Sequence, residues 1–280
     1  MGRFRYGDGY RVINGLLSAV EEGNTTLTAT KDGVTSNTVG VSVSAAVITA
    51  IQVTPSPVIV VKGRTQQLVA TATYSDATSS EVSNSVTWGD FDMATATVSS
   101  TGLLSAVEEG NTTLTATKDG VTSNTVDVSV CIIAGTCIDI FDTGSGKLFT
   151  NSPSVAYLNS IGGIATNGTY TETGANGPAN GAFYRFNWTN ANALCTTYNT
   201  HSLGGRTNWR LATVVELKVY LYKVFLNMFN ARGWPTSTHY WSTTPKTPDG
   251  SEYYRVRLLN GNVNSVDPII GGYASCVSNP

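Results

Sequence analysis

From about Ala50 to Val130, apolar and polar positions alternate with a period of two. Leu68, Ala70, Ala72 and Tyr74 point one way, with Val69, Thr71 and Thr73 between them. Leu114 and Ala116 alternate with Thr113, Thr115 and Thr117. Val126, Val128 and Val130 alternate with Thr125, Asp127 and Ser129. This is the pattern of half-buried strands. One apolar face and one Thr-rich wet face predict a sandwich of two sheets, with Trp88 as its core aromatic. Asp119-Gly120 marks a hairpin turn.

The period changes after residue 136. Ala191, Leu194, Cys195 and Tyr198 fall at i, i+3, i+4 and i+7, which predicts a helix over about 190–198 with a buried stripe. Thr213-Val214-Val215-Glu216 reads as a capping box. Leu217, Leu221, Val224, Phe225 and Met228 continue it as an apolar stripe, and Gly233 and Pro235 stop it. The expectation is one helix over about 214–231. Short strands follow at Tyr240-Trp241-Ser242, at Tyr253–Leu258, at Asn262–Val266 after an Asn260-Gly261 turn, and at Tyr273–Val277.

A repeat sets the organisation of the first half. Residues 15–39 and 102–126 carry the same 25 letters, offset by 87 residues. That offset suits one Ig-sized sandwich, and such identity points to duplication within a tandem array. Only the last third of the earlier copy is present. Met1 to Asn14 are too few to supply the missing strands, so residues 1–45 are expected to be poorly anchored unless another chain completes them. The chain reads as the C-terminal end of a longer protein or a truncated reading frame.

Composition narrows the function. The formal net charge is −2 and charged residues are 13%, too few and too balanced for a nucleic-acid binder. Thr occurs forty times, which suits strands, and the apolar fraction of 41% can build cores. No apolar run is long enough to span a membrane, and Met1 to Asn14 do not read as a signal peptide. Residues 1–136 hold 7 basic and 12 acidic side chains, and residues 137–280 hold 10 and 7. Of the 26 aromatics, 20 follow residue 136. The informative chemistry therefore lies in the second half.

Thr87-Trp88, Ala96-Thr97-Val98, Gly102-Leu103, Gly110 and Leu114-Thr115-Ala116-Thr117 resemble the bacterial Ig-like domain, group 2. Known members are spacers in bacterial surface proteins. Trp209-Arg210-Leu211-Ala212-Thr213 with Glu216-Leu217, then Tyr240-Trp241-Ser242-Thr243-Thr244 and Tyr273-Ala274-Ser275-Cys276-Val277, resemble the C-terminal C-type-lectin-like domain of invasin- and intimin-type adhesins. They also resemble a wider set of bacterial lectin-like modules. Ala212 stands where those usually have Pro. The resemblance implies an all-β Ig-like sandwich followed by an α+β C-type-lectin-like domain. It divides the chain into a truncated Ig-like fragment (1–48), an Ig-like domain (49–130) and a lectin-like tip (131–280).

Four cysteines allow three pairings. The resembling family joins its helix to its last strand, which implies Cys195–Cys276 and leaves Cys131–Cys137. Two bridges imply an oxidising compartment.

Several chemistries are weighed and set aside. Thr143-Gly144-Ser145-Gly146-Lys147 lacks the Walker spacing, because Phe141 and Leu148 occupy its key places. The sugar-binding Ca²⁺ signatures of true C-type lectins are missing. Asp249, Glu252 and Asp267 are scattered, and Asp90 and Asp92 read as a solvated loop. Neither His201 nor His239 has a nucleophile elbow near it, although Ser237 and Ser242 are close to His239 in sequence. No catalytic residue, metal or cofactor is expected.

Binding remains. Trp234, His239, Tyr240 and Trp241 form an aromatic run, and Arg255 and Arg257 share a strand face beside Tyr253. Aromatics and Arg favour hot spots, while Trp209 and Trp241 read as core. Trp234, His239, Tyr240, Tyr253, Arg255 and Arg257 are the expected receptor contacts. The expected protein is the distal end of a bacterial cell-surface adhesin with a monomeric tip. It would bind a protein or glycan on a host or neighbouring cell, without nucleic acid and without inserting in the membrane. The alternative is a structural matrix protein making homotypic contacts.

Overall fold

The computed structural model describes residues 10–13, 16–19 and 21–280. Expectations for Met1–Gly9, Asn14, Gly15 and Val20 lie outside the described residues. Strands dominate, and the helices all follow residue 154.

The alternating segments build a sandwich. One sheet runs in the order Ser79–Glu81, Val69–Tyr74, Ile48–Thr54. The other runs Thr87–Gly89, Gly110–Lys118, Val126–Cys131, Val58–Val61. The last pair is parallel, with Val128 opposite Val58. Leu68, Ala70, Ala72, Leu114, Ala116, Val126, Val128 and Val130 are buried between the sheets, as the alternation requires. Asp119 and Gly120 both have positive φ, which suits the tight turn that pairs Lys118 with Val121. Trp88 is only half-buried, because its indole lies at the rim and donates to the Ser83 carbonyl at 3.3 Å. Gly102 is needed beneath it: at φ +79° a Cβ would fall 2.9 Å from the ring and 2.7 Å from the Leu68 carbonyl.

The first copy of the repeat keeps its local structure without the sandwich. Gly23–Leu27 pairs with Val39–Val43, and Thr30–Lys31 with Val34–Thr35. Ahead of them Tyr10–Ile13 pairs with Leu16–Ala19.

The remainder is an α+β unit with two apolar cores. One sheet runs Ile140–Asp142, Leu148–Thr150, Cys276–Ser278, Arg210–Leu211. A second runs Tyr240–Pro245, Tyr253–Val256, Val263–Val266. Helix α1 spans Val155–Ser160 and α2 spans Trp188–Thr200. Asn187 caps α2 by accepting from the Asn190 amide, and Ala191, Leu194, Cys195 and Tyr198 are its buried face. Cys195 is bonded to Cys276, and Cys131 to Cys137.

The helix expected over 214–231 is interrupted. The Thr213–Glu216 capping box forms, but a π-helical stretch follows at Leu217–Tyr222 and a single turn at Lys223–Phe225. The chain then leaves the helix at Leu226 (φ +60°) and restarts at Met228–Arg232. Asn227 competes with helix continuation by accepting from the Phe229 and Asn230 amides. The β-branched Val215, Val219 and Val224 weaken the segment further. In consequence Val224, expected in the buried stripe, is exposed, while Leu217, Leu221 and Met228 stay buried. Gly233 closes the last turn at φ +74°.

The hairpin at Asn260-Gly261 also differs. Val256 pairs with Val263, so its loop is longer than a two-residue turn. Gly261 is packed on Tyr222, where a Cβ would meet the ring at 2.2 Å.

The sandwich and the α+β unit meet at a polar junction. Val61 pairs with Cys131, and the Lys62 amide donates to the Cys131 carbonyl at 2.9 Å. Arg64 donates to the Ala231 carbonyl at 3.3 Å and lies 3.9 Å from Asp139.

Candidate functional site: a cationic face on the three-stranded sheet

Strand register decides which of the expected contacts share a surface. Trp241 lies opposite Arg255, and Arg255 opposite Asn264. Directly opposed residues project to the same side, so Trp241, Arg255 and Asn264 form one cross-strand row. Trp241 is fully buried at the base of this row, and the half-buried His239 and exposed Asn262 lie beside it, with His239 Nε2 3.1 Å from Asn262 Oδ1. Arg257 is half-buried and donates through Nε to the Thr236 carbonyl at 3.3 Å. At the other end Tyr253 stacks on Trp188, with ring centroids 4.1 Å apart. Ile269 and Ile270 stand exposed on the loop beside Gly271.

Arg255 is the unusual member. It was expected on an exposed face, yet it is 7% exposed. Its guanidinium carbon sits 5.0 Å from the Trp241 ring centroid, and Nη1 reaches the Gly271 carbonyl at 3.4 Å. Among the described residues it has no carboxylate partner, and its Nε and the Asn264 Oδ1 make no hydrogen bond within the protein. Burial lowers its pKa, and a buried cation normally acquires a counter-charge. Burial also lowers the pKa of His239. The Asn262 contact opposes that shift, and Arg255 and Arg257 reinforce it. The positive charge of this face is that of the two arginines.

Two expected contacts are not on this face. Trp234 and Tyr240 are fully buried. Trp234 donates to Asp139 Oδ2 at 2.6 Å, and Tyr240 donates to the Pro235 carbonyl at 2.7 Å. Their polar atoms are satisfied inside, so both rings are core. His239, Tyr253 and Arg257 remain accessible in part, and Arg255 only at its edge. Sequence reasoning missed Trp188, distant in the chain, and the Ile269-Ile270 pair in a loop; Asn262 and Asn264 lay on the expected return strand, but only the register brings them beside the arginines.

Other candidates resolve into structure. Lys147 of the glycine-rich turn is 2.9 Å from Glu216. Asp92 accepts from Thr95 at 2.9 Å, and Asp90 from Thr115 at 2.5 Å. Among the described residues no three His, Cys, Asp or Glu side chains cluster as metal ligands. Ser237, close to His239 in sequence, donates instead to the buried Glu172, which also accepts from Tyr273 at 2.7 Å. No described helix is long and apolar enough to cross a membrane.

Residues 47–129 match the bacterial Ig-like domain (group 2), and residues 165–278 match the Lcl C-terminal domain. Ice-binding protein 1 of Shewanella frigidimarina (strain NCIMB 400) is 28% identical over 246 residues. That match takes in 88% of this chain, but the chain spans only 26% of that protein. Among solved structures, the Yersinia pseudotuberculosis adhesin InvE aligns over 97% of this chain and 84% of its own, at 18% identity and a TM-score of 0.40. Invasin, a bacterial integrin-binding protein, aligns over 93% of this chain and 46% of its own, at 12% identity and a TM-score of 0.27.

Proposed function

We infer, for a chain that joins a bacterial Ig-like (group 2) module to an Lcl C-terminal domain, that it is an extracellular adhesive protein of the bacterial surface. The Ig-like module acts as a spacer. The α+β domain, read as C-type-lectin-like, is the binding tip. Its ligand is a protein or glycan on a host or neighbouring cell, held without covalent chemistry, metal or cofactor.

The observation that carries this reading is Arg255. A cation held between Trp241 and the Gly271 carbonyl, without a carboxylate of its own, presents an unfilled electrostatic demand. Arg257 adds charge beside it, and Asn262 and Asn264 add amide groups. The Trp188–Tyr253 stack and Ile269-Ile270 add aromatic and apolar contact area. An acidic or hydroxyl-rich group satisfies those donors best.

The test is a glycan array and a cell-surface binding screen with the whole chain, with and without EDTA, beside sedimentation of the chain alone. Saturable binding by a monomer, unchanged by EDTA, supports the reading. Self-association without any such binding favours the matrix protein and removes the adhesin.

A further inference from the structure

The two copies of the repeat have the same sequence and the same internal structure but different surroundings. Gly23 pairs with Val43 and Leu27 with Val39; in the second copy Gly110 pairs with Val130 and Leu114 with Val126. The turns match as well, Thr30 with Thr35 and Thr117 with Thr122. The Ala29 amide donates to Ser36 at 2.9 Å, and the Ala116 amide to Ser123 at 3.0 Å. A hairpin precedes each copy, but with a one-residue difference in register: Ala19 pairs with Tyr10, whereas its counterpart Ala106 pairs with Ala96, one position short of the 87-residue offset.

What differs is the cover. In the second copy Gly110–Lys118 lies between Thr87–Gly89 and Val126–Cys131, and Val126–Cys131 is flanked in turn by Val58–Val61. Leu104 and Val126 there are fully buried. Their counterparts Leu17 and Val39 are 41% and 51% exposed, and among the described residues Gly23–Leu27 and Val39–Val43 pair only with each other. Asn124 accepts from the Val53 amide at 2.7 Å, a bond to the strand that covers this face. Its counterpart Asn37 is exposed.

We propose that residues 10–43 are the C-terminal part of a second Ig-like sandwich, and that their open face receives a polypeptide segment with the strand pattern of residues 46–95. The second copy states what the occupant must supply. It needs a strand like Ile48–Thr54 to meet Asn37, apolar positions like Leu68, Ala70 and Ala72 to cover Leu17 and Val39, and edge strands like Val58–Val61 and Thr87–Gly89 to close the sheet. The occupant is an Ig-like segment and not the cell-surface ligand, so the inference does not depend on the adhesive reading.

The experiment titrates the full chain with a peptide of residues 46–95 and follows amide exchange by NMR. A second arm joins a copy of residues 46–95 directly ahead of Tyr10, which removes any dependence on peptide solubility. The expected result is exchange slowed by roughly 100-fold across residues 23–43, with residues 110–130 unchanged. Val39→Asp should abolish that protection, and Asn37→Ala should weaken it. The inference is overturned by unchanged exchange at 23–43 in both arms. Protection that survives Val39→Asp, or that appears only with matching loss at 110–130, also overturns it.

Discussion

The indole of Trp234 donates to Asp139 Oδ2 at 2.6 Å, and the same carboxylate takes Arg232 through Nε and Nη2 at 2.7 and 2.8 Å. This buried cluster anchors the segment after residue 232 within the α+β unit, and Arg64 brings the Ig-like module against it. Trp234 is therefore expected to act on stability and not on recognition. Trp234→Ala should cost about 3–5 kcal/mol in urea unfolding, the range for removing a large buried aromatic. A variant with unchanged stability and lost binding would instead place that ring at the ligand.

Glu216 should control acid stability. It accepts from Arg210 at 2.7 and 2.8 Å, from Lys147 at 2.9 Å and from the Thr213 amide at 2.9 Å. Burial works to raise its pKa. The hydrogen bonds from Arg210, Thr213 and Lys147 outweigh it and hold the carboxyl at about 2, below the ordinary 4.5. A carboxyl lowered on folding adds stability that is complete above its unfolded pKa and is lost as pH falls through the folded one. That contribution is on the order of 3 kcal/mol. Glu216→Gln should lower the melting temperature at pH 7, and the gap from the parent should close between pH 4.5 and 2. A gap that stays constant over that interval would contradict the assignment.

The two disulfides should contribute unequally. Cys195–Cys276 spans 81 residues and ties α2 to the last strand, while Cys131–Cys137 spans 6. In the chain-entropy model these loops give about 4.5 and about 2 kcal/mol. Replacing Cys195 and Cys276 together should therefore lower unfolding stability about twice as much as replacing Cys131 and Cys137. Equal losses would show that loop length does not govern them here.

Periodicity made the sandwich legible, because strands such as Val69–Tyr74 and Val126–Cys131 bury Ala70 and Ala72, and Val126, Val128 and Val130, at every second position and write that fact into the chain. The α2 stripe and the Thr213–Glu216 box were legible for the same reason: both are local. The break at Leu226 was not, since the apolar spacing through Phe225 and Met228 also fits an unbroken helix, and only Asn227 hints at a restart. The site was half legible. His239, Tyr253 and Arg257 lie on the surface as their types suggest, but the burial of Trp234, Tyr240 and Arg255 depends on residues 139, 235 and 271, far away or in loops. Asn264 joins the site through register alone, which no short pattern discloses.

The most direct test of the cationic tip compares binding of three whole-chain proteins to the same cells: the parent, Arg257→Glu, and Ile59→Asp on the exposed face of the Ig-like module. Arg257 and Ile59 are both at least partly accessible, so neither change should shift the melting temperature by more than a few degrees. The expected result is at least about tenfold weaker binding for Arg257→Glu, the loss produced by roughly 1.4 kcal/mol, with Ile59→Asp equal to the parent. Binding that survives Arg257→Glu and falls with Ile59→Asp would place the contact on the Ig-like module and contradict the account.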